Sequence, residues 1–591
     1  MANIARLVFC ALAITTALSI KDYEEVFYGE YKLDKDSPAF NFLSIMRIQN
    51  QPKFCDASWA FAVTSTMSTH FNFHFEGKAQ EVVLSPQMLI NCSKQDFSCK
   101  NADGFNIEDT LEQLKTLGVS EESCNNYHAD DTKDCSKFNK CKDCSNGEDI
   151  HKESVCRSLD YHSYKLKDWK KITSDEKDND RDSDLFKQIH DSLFNKGPLV
   201  CQITHGESLF KFRTNKIKKF KPTKKETNDY KAWVSLVGYK DIGDSQENRT
   251  WVLQTSYGAN VGYHGYIYID ASENSNVMDI LDNCYEITID PHIEFVDNKD
   301  VSSPYLDLLS YKTVKKIHKD ESTSLNQGLI KYPVLMRRYN EGLDLTADPE
   351  PIDWRNYEGR NFLTYVKNQH IPSYCGSCWI QAPLSVLADR LNIQRYKKSE
   401  VFPRHVLSPQ AVINCREGGT CYGGDSSLFF QKSLDWVTPV ETCKAYESKN
   451  PDKFECSTSQ VCSNNKGEGL KSYNGMKVSH WERVRGSKAM KVALQDGPIV
   501  CDMQVTEEFL KYKRTDDTPN IFDQELEYFN LNHAISIVGW SKDDKGEYWI
   551  ARNSWGKEWG YDGLFYIRAG NNVLGIESDC SWGTPEYVPF E

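Results

Sequence analysis

The residues best equipped for chemistry lie in Lys367–Trp379, which reads KNQHIPSYCGSCW. Cys378 stands just before Ile380, Leu384, Leu387 and Leu391, a spacing that draws one apolar stripe on a helix facing a core. The thiol therefore sits at a helix N-terminus, where unpaired backbone N–H groups and the macrodipole favour its nucleophilic, ionised form. Such a thiol needs a base, and the sequence offers His533 in NHAISIVGW, followed by Asn553 in EYWIARNSWG. The run Ala534, Ile535, Ser536, Ile537, Val538 reads as a strand, which would hold the imidazole on a rigid element. Asn553 can bond the other ring nitrogen and fix its orientation. The chemistry implied is attack by sulfur with an imidazole as general base.

The elements that must position these groups belong to a long chain. Its 591 residues exceed one core and imply two or more domains. Lys and Arg number 71 against 85 acids, a formal net charge of −14 with no basic block, which argues against nucleic acid as a partner. The opening MANIARLVFCALAITTALSIKD has Arg6, an apolar run from Leu7, and Ala17 and Ser19 in small-x-small positions. It reads as a signal peptide over residues 1–19, with a membrane anchor as the alternative. The chain is then expected to follow the secretory route, to a lysosome or vacuole or to the outside, with no membrane association once the signal is removed. Ser174–Asp184 is a charge run without an apolar residue and reads as a solvated loop. Asn248-Arg249-Thr250 and Asn91-Cys92-Ser93 both fit a glycosylation acceptor.

Gln-x-x-x-x-x-Cys-Gly-Ser-Cys-Trp, Asn-His-Ala and Asn-Ser-Trp-Gly, in that order, resemble the three signatures of the papain-like cysteine proteases. The likeness covers roughly Ile352 to Pro585. The insert His370, Ile371, Pro372 is similar to the short extra loop of the cathepsin X (cathepsin Z) branch. The resemblance implies an α+β fold, a helical subdomain packed on a β-barrel-like one, with no cofactor and no metal. It implies the roles as well: Cys378 attacks, His533 transfers the proton, Asn553 orients it, and Gln369 donates to the oxyanion. Gly423 and Gly424 line the cleft and pair with extended substrate, close approach being possible to bare backbone. Trp555 shields the His533 and Asn553 contact from water, a plain core tryptophan being the other reading. His370 grips the C-terminal carboxylate of a peptide or protein substrate, a turn histidine in solvent being its alternative.

The sequence also repeats itself. Asn41–Ser44 matches Asn361–Thr364, LSPQMLINC at Leu84–Cys92 matches LSPQAVINC at Leu407–Cys415, and Gly197–Cys201 matches Gly497–Cys501. Two papain-like units are expected, at residues 20–290 and 351–591, with 291–350 as a linker or pro-segment-like stretch. In the first unit the nucleophile position holds Ser58, the position of His533 holds Ala232, and Asn-Ser-Trp-Gly has become Thr255-Ser256-Tyr257-Gly258. A hydroxyl without a base is barely ionised, so this unit is expected to be catalytically inactive. Asn50 stands in place of His370, and Cys99-Lys100-Asn101-Ala102 in place of the cleft glycines.

Of twenty cysteines, Cys10 lies in the signal, ten in the first unit and nine in the second. An odd set in a secreted chain points to one free thiol. By resemblance the pairs are Cys375 with Cys421, Cys415 with Cys456, Cys443 with Cys462 and Cys501 with Cys580. In the first unit they are Cys55 with Cys99, Cys92 with Cys135, Cys124 with Cys141, Cys144 with Cys156 and Cys201 with Cys284. Cys378 is left over. Pro383, early in the helix, removes an N–H and should bend it.

The resulting expectation is a cysteine peptidase acting as a carboxypeptidase through its second unit. Endopeptidase action is the alternative, as is a non-catalytic binding or assembly protein that meets partners through its first unit.

Overall fold

The computed structural model describes residues 26–28, 31–32, 46, 48–298 and 339–590. Residues 77–78, 94–98, 100–104, 146–153, 176–178, 224–229, 241–248, 273–274, 347, 399–402, 514–519 and 527–528 are excepted. The signal peptide at 1–19, Asn41–Ser44, Asn248 and most of the linker at 291–350 lie outside the described residues, as do Lys100–Ala102.

Each unit is α+β, built from a buried helix and a twisted, largely antiparallel sheet. In the first, the helix Ser58–His74 packs on the strand Tyr230–Lys240, itself flanked by Leu199–His205 and Thr250–Gln254. In the second, Cys378–Lys397 packs on His533–Asp543, flanked by Ile499–Met503 and Gly546–Arg552. Ile203 pairs with Ala232 in one sheet and Met503 with His533 in the other. Both sheets slip register at the same place, between Leu236 and Gly238 and between Ile537 and Gly539. The two copies therefore share their framework, and Ala232 occupies the place of His533.

Two apolar cores form in each unit. One surrounds the helix, with Trp59, Phe61 and Phe71 in the first copy and Trp379, Leu384 and Leu387 in the second. The other fills the sheet half, around Trp251 and Ile267 or around Trp549 and Phe565. The stripe Ile380, Leu384, Leu387, Leu391 is buried, but so are Ala382, Val386, Asp389 and Arg390 on the other sides. The helix is enclosed almost all round, which the stripe alone understates. Its polar groups are paired accordingly. Arg552 meets Asp389 at 2.6 Å, and the Arg390 guanidinium donates to the carbonyls of Ala493, Gly497 and Pro498.

Pro383 does not break the helix, which runs on to Lys397. The carbonyl of Trp379, which Pro383 cannot serve for want of an N–H, accepts the Ser426 hydroxyl at 3.0 Å. The charge run is likewise not a loop throughout. From Asn179 it forms the helix Asn179–Lys196, because Leu185, Phe186, Ile189 and Leu193 bury one face of it. Asp180 and Asp182 lie in its first turn, where the dipole favours anions. The nine disulfides pair the cysteines as the resemblance implies, and Cys378 alone among the described cysteines is free.

The two units dock with approximate two-fold symmetry, equivalent positions meeting each other reciprocally. The Ala259 N–H donates to Thr442 Oγ1 at 3.0 Å, and its counterpart Lys557 donates to Ser123 Oγ at 3.4 Å. Glu81 and Arg404, which occupy the same position in the two copies, face each other at 3.5 Å and are buried. Gln51 bonds the Cys443 carbonyl and the Ala445 N–H, both at 2.8 Å. Reciprocally, the loop carrying Pro372 lies against the bridged hairpin of Lys142–Ser145 and Val155–Ser158.

Candidate active site

Cys378 opens its helix and keeps partial exposure, while the surrounding groups are largely protein. The N–H groups of Ala534, Trp379 and Cys378 itself stabilise negative charge on the sulfur. Burial opposes them and wins, pushing the thiol up to about 11. The helix N-terminus was expected to favour the thiolate, but here desolvation outweighs it. The sulfur needs a proton acceptor before it can attack. The Ala534 N–H that serves it belongs to the residue following His533, on the first rungs of the strand.

His533 and Asn553 are adjacent, Nε2 to Oδ1 at 2.8 Å. They come from neighbouring strands, one at the start of His533–Asp543 and the other just past the end of Gly546–Arg552. The Trp555 ring lies 4.8 Å from the His533 ring and is buried. It is held in turn by Trp559, at 5.1 Å and nearly perpendicular.

Gln369 is buried and fixed by three contacts. Its amide donates to the Cys375 carbonyl at 3.1 Å, Ser554 Oγ donates to its Oε1 at 2.7 Å, and its own N–H donates to the Ser554 carbonyl at 2.8 Å. The Tyr446 hydroxyl adds a bond to its backbone carbonyl at 2.8 Å. The first unit keeps the same scaffold around Gln49, with Ser256 Oγ on its Oε1 at 2.6 Å and the Tyr127 hydroxyl on its carbonyl. There, however, the amide turns to Asp56 at 3.3 Å, and Ser58 merely accepts the Trp233 N–H at 3.1 Å.

Gly423 and Gly424 pair with Gly419 and Thr420. A side chain at Gly424 would stand 2.4 Å from the Trp379 ring, and Gly423 has φ +127°, so another residue would be strained at either position. Gly424 and Tyr422 are exposed beside Cys378's helix.

His370 lies in the turn that precedes Cys375. It is 2 % exposed, between Tyr374 at 5.0 Å and Trp555 at 6.0 Å, both rings lying 25° from its own plane. Its Nδ1 is 3.5 Å from Asp143 Oδ1 of the first unit. It is thus not a turn histidine in solvent. Sequence reasoning missed Asp143, and it also missed Tyr446, Ser426 and the Arg552–Asp389 pair. An arginine directly before Asn553 was the one available signal for the last of these.

A family model described as papain family cysteine protease matches residues 36–287 and again 348–584. The chain is 34% identical over 260 residues to cathepsin Z of Onchocerca volvulus, covering 42% of this chain and 82% of that protein. It is 27% identical over 252 residues to cathepsin O of Homo sapiens, covering 42% and 71%. Among solved structures it is similar to the bromelain protease from Ananas comosus in complex with the E64 inhibitor. That match has 27% identity and a TM-score of 0.32, and covers 40% of this chain and 99% of that one.

Proposed function

Since the chain belongs to the papain family of cysteine proteases, we propose that its second unit is a carboxypeptidase that removes residues from the free C-terminus of peptides. Its first unit is inactive. The observation that carries this reading is a free Cys378 beside the start of a strand whose first residue, His533, is bonded to Asn553.

In the reaction His533 takes the Cys378 proton as substrate displaces water, and the sulfur adds to the scissile carbonyl. Gln369 Nε2 and the Cys378 N–H receive the oxyanion. The intermediate collapses to a thioester as the imidazolium returns its proton to the leaving amine. Water, deprotonated by His533, then releases the acid and the thiol. Asn553 keeps the imidazole oriented throughout, and Trp555 excludes water from that contact.

Three features support action at the C-terminus: the His370–Pro372 insert, the likeness to a cathepsin Z, and the wall of protein behind His370. The direct test offers one peptide as free acid and as C-terminal amide, with products read by mass spectrometry. The free acid should lose its last residue and the amide should resist; equal cleavage of both leaves an endopeptidase. A peptidyl epoxide should label Cys378 and not Ser58, and failure to label Cys378 would favour a binding or assembly protein on this scaffold. Nine disulfides support a secretory compartment. Among the described residues no helix is long and apolar enough to cross a membrane.

A further inference from the structure

The inactive unit reaches the active one at the residue proposed to read the substrate's end. The His370 ring stacks on both Tyr374 and Trp555, and Trp555 in turn touches the His533 ring. One indole thus contacts both imidazoles. The edge of the His370 ring is closed from the first unit. Asp143 Oδ1 stands 3.5 Å from Nδ1, and among the described residues neither enclosed atom has a hydrogen-bond partner. The hairpin that carries Asp143 is stapled by Cys144–Cys156. That disulfide lies against the Pro372 carbonyl, 3.4 Å from Cys144 Sγ, and Ser154 Oγ accepts the Tyr374 N–H at 2.9 Å.

We infer that Asp143 of the first unit is a positioning residue for the second, orienting His370 so that its Nε2 meets the terminal carboxylate of a peptide substrate. This rests on the carboxypeptidase reading above. A carboxylate beside Nδ1 selects the tautomer with its proton there and fixes the orientation of the ring, leaving Nε2 for the substrate's carboxylate. The bridged hairpin fixes that carboxylate on a rigid element. Because Asp143 comes from the degenerate copy, the substrate site is incomplete without it. This gives that copy a role that the loss of Cys, His and Asn does not remove.

The test uses the full chain with Asp143→Asn and Asp143→Glu, measuring kcat and KM on a free-acid peptide and its C-terminal amide. Epoxide labelling of Cys378 serves as the check on folding. Asp143→Asn should lower the acid-over-amide preference about tenfold, carried by KM for the acid rather than by kcat. Asp143→Glu should recover most of it. An unchanged preference in Asp143→Asn, or a loss carried by kcat, overturns the role of Asp143 while leaving the carboxypeptidase reading standing. A wild-type protein that treats acid and amide alike overturns that reading, and the inference with it.

Discussion

Ser58 and Cys378 occupy the same point of the same scaffold, and the difference between their surroundings separates what the fold requires from what catalysis requires. Both units retain a glutamine clamped by a serine, a tyrosine hydroxyl on its carbonyl, and a strand with the same bulge. Those features survive in a copy that has lost its nucleophile, base and asparagine, so they belong to the architecture of the cleft. What the second unit alone carries is chemical: a free thiol, an imidazole bonded to an amide, and glycines packed on Trp379. A further contrast lies beneath the helix. The second unit buries the ion pair Asp389–Arg552, whereas the equivalent Gln254 of the first makes a neutral bond to Ser65 at 2.6 Å.

This comparison can be broken at several points. The largest effect is expected at the nucleophile. Cys378→Ala should lower kcat by at least about 10⁴-fold on a peptide substrate, while Ser58→Ala changes it less than about twofold. Residual turnover lost only on changing Ser58 would show that the first unit is a catalyst. Next comes the buried pair. Arg552→Gln leaves the Asp389 carboxylate enclosed without its cation, at a cost of about 3–5 kcal/mol, or a fall in Tm of roughly 10 °C. Gln254→Ala should cost only about 1 kcal/mol. Equal melting shifts by calorimetry would mean that the two helices are supported alike. Gln369→Ala should reduce kcat about 10²–10³-fold with Cys378 still labelled, whereas Gln49→Ala should leave turnover intact.

The smallest effect sharpens the contrast at the docking face. Glu558 stands where the first unit has Asn260, and burial together with Glu121 raises its carboxyl to about 8. The folded chain therefore holds a proton that the unfolded chain releases near its ordinary value of 4.5. Stability from this group is complete below that pH and is lost as pH rises toward 8. Tm should fall across that window, and Glu558→Gln should flatten the trend. An identical slope in the variant would assign the trend to other groups.

Much of the site was legible because its residues recur in short, ordered motifs: Cys378 before a helix, His533 opening a strand, Asn553 ending the next. The vacancy of the first unit was equally legible, since each missing group could be located by counting from a repeated neighbour. Less could be seen where pairing is between distant elements. The rescue of the Trp379 carbonyl by Ser426 depends on a helix that comes alongside after folding. The helix beginning at Asn179 was concealed by the acidic residues of its first turn. The balance at Cys378 was hidden for a related reason: the dipole of a helix end can be inferred from one segment, but desolvation is set by everything packed around it.

By itself the amino-acid order determined a duplicated papain-like chain, its one odd cysteine, and which copy has the groups for sulfur chemistry. These follow from residue identity and spacing, which are local. Only the tertiary structure decided that the copies dock about an approximate two-fold axis, and that His370 and Asp143 face each other at 3.5 Å across it. The physical reason is that contact between two folded surfaces arises from their joint shape and charge, with more than two hundred residues lying between the partners along the chain.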